Sequence, residues 1–335
     1  MVSHSPRTGP PVPAPRTGGP WRPWGEAWAD AAYGAGGFWS TEQPGDHFAT
    51  GVGAGPHVAR AVAGLAPPGV EVVVDVGAGD GCLLTALVDR LPGVALVGVD
   101  RRPRPPGLDP AVRWVVDHHD VGTGRWVGVG PTGWCADAEA PLLVAHEWLD
   151  DLPVPVVERQ DGRWHEVEVD PDGRERTGTE VGPEDGAWLA RWWPRGERAE
   201  VGHARDLAWA ALVRAATDRR GRALLVDYGH RAGGRPGRGT FTAYGRGRQR
   251  EPVPDGSVNL TAAVAVDALA AAGEAAGATT LLLDRQSAVL AEEPTSGPGG
   301  VLAELARRSE RSALTAPSRW GDLWWLLQGA SGPTS

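Results

Sequence analysis

No lysine occurs anywhere in the 335 residues, so all 33 basic positions are arginine. A GC-rich, bacterial coding sequence produces that exchange without selection for phosphate contacts, so arginine content alone is no argument for nucleic-acid binding. Cysteine is nearly absent as well. Cys82 and Cys135 are the only two, which excludes a disulfide framework and points to a reducing cytoplasm. No apolar run reaches the roughly 18 residues of a membrane span, and residues 1–20 carry Pro, Gly and Arg without the apolar centre of a signal peptide. They read as a disordered leader. The net charge of -9 argues against a polyanion ligand and is compatible with a basic partner. With 41% hydrophobic residues, the chain can form one large domain with an insertion or two modest ones.

What is present is concentrated at 72–84, V-V-V-D-V-G-A-G-D-G-C-L-L. Apolar residues around Asp75 predict a buried strand, and Gly77, Gly79 and Gly81 predict a tight turn into an apolar helix over 82–91. Such a loop lets a ligand lie against the backbone and meet helix N-terminal N–H groups. A dinucleotide fingerprint would be G-x-G-x-x-G, whereas this loop is G-x-G-x-G with an acid two residues before it. It resembles motif I of the class I S-adenosylmethionine (SAM) methyltransferases. That resemblance implies Asp75 near the methionine ammonium of the cofactor, with Gly77, Ala78, Gly79 and Gly81 under its ribose. A second strand over 94–99 ends in Asp100, an acid placed to accept a ribose diol. Asp117, one residue past a third strand at 112–116, is placed to approach the adenine edge.

Apolar runs at 142–145, 223–226, 279–283 and 322–328 add strands, alternating with helices predicted over 57–65, 204–218, 261–276 and 301–312. The fold class is α/β, a Rossmann-like doubly wound sheet of the class I methyltransferase type. Asp161-Gly162 between 154–159 and 164–169 signals a hairpin. Trp188, Trp192 and Trp193 at helical spacing extend it into an inserted hairpin and helical cap. The segments are therefore 21–56 on the substrate side, 57–153 and 204–328 as the two halves of the core, 154–203 as the insertion, and 329–335 as a tail.

Several separated motifs resemble one family, the MidA-like methyltransferases, which include the mitochondrial arginine methyltransferase of complex I assembly. They are YGAGGF at 33–38, GDHFAT at 45–50, AHEWLDDLPV at 145–154, LVDYGH at 225–230, Gly239-Thr240, and NLTAAV at 259–264. The resemblance implies SAM as cofactor and a protein arginine as acceptor, with Glu147 holding the guanidinium by charge-assisted hydrogen bonds. His146, Asp150 and Asp227 are the other candidate catalytic residues, His146 as a proton acceptor. Departures fall at His146, where the family has Asn, and at Asn259 and Ala263, where it has Asp and His; they bear on the acceptor pocket. The alternatives are helix capping for Asp150 and Asp151, packing for His146, and a simple turn for Asp227. A small-molecule acceptor and a SAM-binding assembly factor without turnover are the rival functions. His118-His119 lacks a second ligand pair and reads as a solvated loop, so no metal is expected. Cys82 reads as a small packing residue, or as an activated thiol at a helix start. The six arginines of 231–250 read as a solvated, mobile loop rather than a nucleic-acid patch.

Overall fold

The computed structural model describes residues 19–41, 56–135, 137–291, 300–317 and 320–330. Most of the expected leader, the GDHFAT motif and most of the tail lie outside them. Seven strands form the path of the eight-stranded main sheet, with Val264–Ala265 paired off that path: β1 (Val72–Val76), β2 (Ala95–Asp100), β3 (Val112–Val116), β4 (Leu142–His146), β5 (Arg222–His230), β6 (Thr279–Arg285) and β7 (Leu323–Gly329). Their order is β3-β2-β1-β4-β5-β7-β6. The first five run parallel, and β7 is antiparallel to both of its neighbours.

The apolar runs form these strands because both faces of the sheet are covered. Val72, Val74, Val76, Leu143, Ala145 and Leu225 point to one core, with Trp209 and Leu212 of the helix His203–Thr217 and Leu269 of Val266–Ala275. Val73, Leu142, Val144, Leu224 and Val226 point to the other, against Val58 and Val62 of Pro56–Gly64 and Leu83, Leu84 and Leu87 of Cys82–Leu87. This two-residue alternation across two helical layers is the doubly wound arrangement expected. The chain leaves β1 toward β2 on one side and returns to β4 on the other. Ligands of such sheets bind where the order reverses, at the C-terminal strand ends.

A second sheet is built from Arg22–Pro23, Val156–Gln160, Arg163–Val169, Glu175–Glu180 and Arg198–Glu200. Its hairpin turns at Asp161 (φ 51°) and Gly162 (φ 81°), as that pair predicts. The insertion is thus mostly sheet, with Pro183–Trp192 as its helix, where Trp188 and Leu189 are buried. It also recruits the N-terminal segment: Trp24 and Trp28 of the helix Trp24–Tyr33 pack with Val156, Val167 and Phe241.

Two expectations are corrected. The helix predicted over 261–276 begins at Val266, because Asn259–Thr261 pairs with Thr242–Gly245 and Val264–Ala265 extends the sheet beside β5; β-branched Thr261 and Val264 favour that extended backbone. The arginine-rich segment is no solvated loop throughout. Thr242–Gly245 and Arg248–Arg250 form a hairpin, and buried Arg235 ion-pairs with Asp267 at 2.7 Å while contacting His230 Nδ1 at 2.8 Å. Among the described residues, no helix is long and apolar enough to cross a membrane.

Candidate functional site

The loop after β1 needs glycine for two different reasons. Gly77 has φ 72°, and a Cβ there would lie 2.6 Å from Trp148 Cδ1, so this position packs against protein. Gly79 has φ 61°, and its nearest neighbour to a Cβ is Arg102 Nη2 at 3.9 Å, so this position faces room. The N–H groups of Gly77 and Ala78 donate to Val99 O at 2.8 and 3.0 Å, and that of Gly79 to Asp100 Oδ2 at 2.9 Å. The loop is therefore held open by β2. Asp100 Oδ1 accepts the backbone N–H of Arg102 at 2.9 Å, which fixes the carboxylate at the strand end.

Asp75 is buried and its carboxyl makes no hydrogen bond among the described residues. Burial, then the charges of Asp100 and Asp80, push it up to about 8. An unpartnered buried acid is costly, so this position suits a ligand that brings a cation. A glycine with space above it, an acid held at the next strand end and an unpaired acid beneath are a fit for the cofactor implied by the glycine motif.

The ends of β4 and β5 carry the second half of the site. Glu147 follows β4 directly with φ 48° and donates its N–H to Val226 O at 2.8 Å. A left-handed glutamate is strained, and this one stands at the end of β4. His146 Nδ1 lies 3.5 Å from Glu147 Oε1, and His146 Nε2 is buried without a partner among the described residues. Burial lowers this histidine to about 4. It is neutral at neutral pH.

Asp227 is fully buried and organises the turn: its Oδ2 accepts the N–H groups of Leu149 (3.0 Å) and Asp150 (3.3 Å), and its Oδ1 that of Tyr228 (2.8 Å). Leu152 N–H returns to Leu149 O at 3.2 Å. No helix starts there, so helix capping by Asp150 and Asp151 does not apply. Asp150 Oδ2 accepts Thr261 Oγ1–H at 2.9 Å, and Asp151 Oδ1 accepts Asn259 Nδ2–H at 2.9 Å. Asp150 Oδ1 and Asn259 Oδ1 are buried without partners among the described residues. Burial raises Asp150, Asp151 and Asp227 above the usual carboxylate range, and for Asp151 and Asp227 the charge of Asp150 adds to it.

The cation beneath these acids is one that sequence reasoning missed. Arg205, buried in His203–Thr217, donates to Leu152 O (3.0 and 2.8 Å), Asp150 O (2.8 Å) and Ala262 O (2.8 Å). It locks the turn to the 259–265 segment through carbonyls and, among the described residues, bonds no carboxylate side chain. The available signal was Arg205-Asp206 inside a helix otherwise rich in Ala, Leu and Trp. Asp206 is buried as well and accepts Trp188 Nε1–H at 2.7 Å.

Asp117 lies at the end of β3, but its oxygens accept His118 N–H, Gly128 N–H, Gly130 N–H and Trp134 Nε1–H at 2.8–3.0 Å. Its carboxylate is spent on holding the following segment. His119 is buried with its ring edge-on to Trp126, which corrects the solvated-loop expectation. Cys82 is exposed rather than packed, and partial burial with Asp80 beside it pushes the thiol up to about 11, so it is not activated.

A family model described as "Putative S-adenosyl-L-methionine-dependent methyltransferase" matches residues 107–283, more than half the chain. Among solved structures, the chain is similar to a protein from Burkholderia thailandensis bound to S-adenosyl-homocysteine. The two are 23% identical over 93% of this chain and 89% of that one, with a TM-score of 0.72. An uncharacterized protein of the same superfamily and organism is also 23% identical, over 93% and 88%, with a TM-score of 0.69. At this identity the likeness speaks for the fold. No curated protein matches the chain.

Proposed function

The chain belongs to this family of SAM-dependent methyltransferases, and we propose that its acceptor is the guanidinium group of a protein arginine. The observation that carries the acceptor is the cluster of acidic side chains at the ends of β4 and β5. Glu147, Asp150, Asp151 and Asp227 gather there, and the buried cation among them, Arg205, spends its N–H groups on backbone carbonyls. A planar cation with several N–H donors fits such a place. The cofactor end supports the same reaction: Gly77, Ala78, Gly79 and Gly81 would lie under the ribose, Asp100 would accept its hydroxyls, and Asp75 would receive the ammonium. Asp117 would shape the adenine end through the backbone it holds. A similar protein is bound to S-adenosyl-homocysteine, which supports SAM as the cofactor.

When bound, SAM supplies a methyl group on a sulfonium. Glu147 would hold the guanidinium in line and draw its positive charge away from the attacking nitrogen. The donor would offer an electrophilic methyl carbon to that nitrogen's lone pair, the electrons of its C–S bond remaining on sulfur. Asp227 and Arg205 keep the turn bearing Glu147 and Asp150 in place. His146 Nε2, neutral and without a partner among the described residues, would accept the proton that the methylated nitrogen loses and, as a weak base, release it to solvent.

Peptides differing only in one residue test the acceptor. S-adenosylhomocysteine should be released with an arginine peptide and not with its lysine or citrulline counterparts. Release with lysine, or with small guanidines but no peptide, would overturn the protein-arginine acceptor.

A further inference from the structure

Because β1 lies between β2 and β4, its glycine loop opens into the gap between the end of β2 and the turn after β4. A strap of side chains crosses that gap. Arg101, the first residue after β2, donates from Nη2 to Tyr33 O at 2.9 Å, and its guanidinium lies 4.8 Å from the centre of the Tyr33 ring. Tyr33 donates its hydroxyl to Asp151 O at 3.1 Å. The N-terminal helix is thereby tied to both strand ends that flank the loop.

One atom of the strap is unaccounted for. Arg101 Nη1 is buried and has no hydrogen-bond partner among the described residues. Its neighbour Arg102 differs, with Nε 3.3 Å from Asp100 Oδ1. Guanidinium is always charged and has no neutral form to retreat to, so an unpaired buried N–H of this kind is expensive until an anionic acceptor reaches it. The Asp151 atom that meets the strap is a backbone oxygen, and the Asp151 carboxyl is engaged by Asn259. Asp100 is engaged by Gly79 and Arg102. Among the described residues, no carboxylate reaches Arg101 Nη1.

The methyl donor carries one anionic group, the carboxylate of its methionyl end, beside the ammonium assigned above to Asp75. We propose that Arg101 binds this carboxylate through Nη1, so that Tyr33 and Arg101 close over the amino-acid end of the cofactor. The inference rests on the methyltransferase function proposed above. It makes Arg101 a specificity residue for the amino-acid end and leaves adenosine recognition to Asp100 and the glycine loop.

Calorimetric titration of the full chain with S-adenosylhomocysteine and with 5′-methylthioadenosine, which keeps the adenosine and lacks the amino acid, separates the ends. Arg101→Gln should weaken S-adenosylhomocysteine about tenfold or more, the scale of a lost charge-assisted hydrogen bond, and leave methylthioadenosine within about twofold. Arg101→Lys, which retains the charge, should fall between wild type and Gln for the first ligand only. That variant also carries the test if Gln prevents folding. Equal weakening of both ligands would make Arg101 a structural strap alone, and unchanged affinity for both would remove it from the site; either result overturns the proposal. A wild-type protein that binds neither ligand would instead defeat the methyltransferase function on which it rests.

Discussion

The two ends of the site are built by opposite means. At the β1–β2 end, the proposed site is made by backbone and by neighbours in sequence: three left-handed glycines, with Asp100 reaching Gly79 across only 21 positions. At the β4–β5 end it is made by buried side chains brought from far apart. Leu149 meets Asp227 across 78 positions, Asp150 meets Arg205 across 55, and Asp151 meets Asn259 across 108. A backbone cradle tolerates little change at the glycine facing the ligand but leaves surrounding side chains free to vary. A buried polar cluster has no such freedom, since each member is held by a specific partner elsewhere in the fold. The donor end should therefore be general, and the acceptor end the part that individualises this chain.

The sharpest way to break this contrast is Gly79→Val. A β-branched residue is strained at φ 61° and would fill the open space above the loop. S-adenosylhomocysteine binding should fall by more than about 100-fold, roughly 2.7 kcal/mol, with the circular dichroism spectrum kept. Binding within threefold of wild type would mean that the cofactor does not pass there.

Arg205→Met attacks the other end through stability. Carbonyls of Asp150, Leu152 and Ala262 lose their donor and the acids lose their cation, which should cost about 3–5 kcal/mol in urea unfolding. A loss under about 1 kcal/mol would show the cluster to be loosely coupled. Glu147→Gln keeps shape and removes charge. Turnover should drop about 100-fold, the scale of one group acting on the reacting centre, while S-adenosylhomocysteine affinity stays within about threefold; wild-type turnover would take Glu147 out of the chemistry.

The smallest effect is a pH dependence confined to the donor end. Asp75 sits near 8 in the free protein and would be ionised by a bound ammonium, so binding releases a proton and tightens as pH rises toward 8. Affinity for S-adenosylhomocysteine should be about tenfold weaker at pH 6 than at pH 8, and Asp75→Asn should flatten the profile. The sign for folding is opposite. A carboxyl raised by burial stabilises the fold below its unfolded value and loses that contribution as pH rises through about 8. A flat affinity profile for wild type would detach Asp75 from the ligand.

The same contrast explains what could be read from sequence. The glycine loop, Asp100, the hairpin at Asp161-Gly162 and the doubly wound order all follow from contiguous patterns, because strand period and turn chemistry are local. Asp117 shows the limit. A carboxylate just past a strand looks the same in sequence whether it faces a ligand or, as here, four donors of its own fold. Arg205 escaped notice because an arginine in an amphipathic helix ordinarily faces water, and only the packing of the turn over it makes it internal. The Ala-rich run that suggested a helix from 261 had no local cue that Thr261 is held by Asp150 and its strand partner.

The acceptor is where the account is most exposed. Methyl-tritiated SAM, incubated with the purified chain and protein from a cell lysate, should place its label in protein, and acid hydrolysis should release that label as methylarginine. Label found only in the low-mass fraction, or in methylated residues other than arginine, would contradict the acidic β4–β5 end as an arginine site.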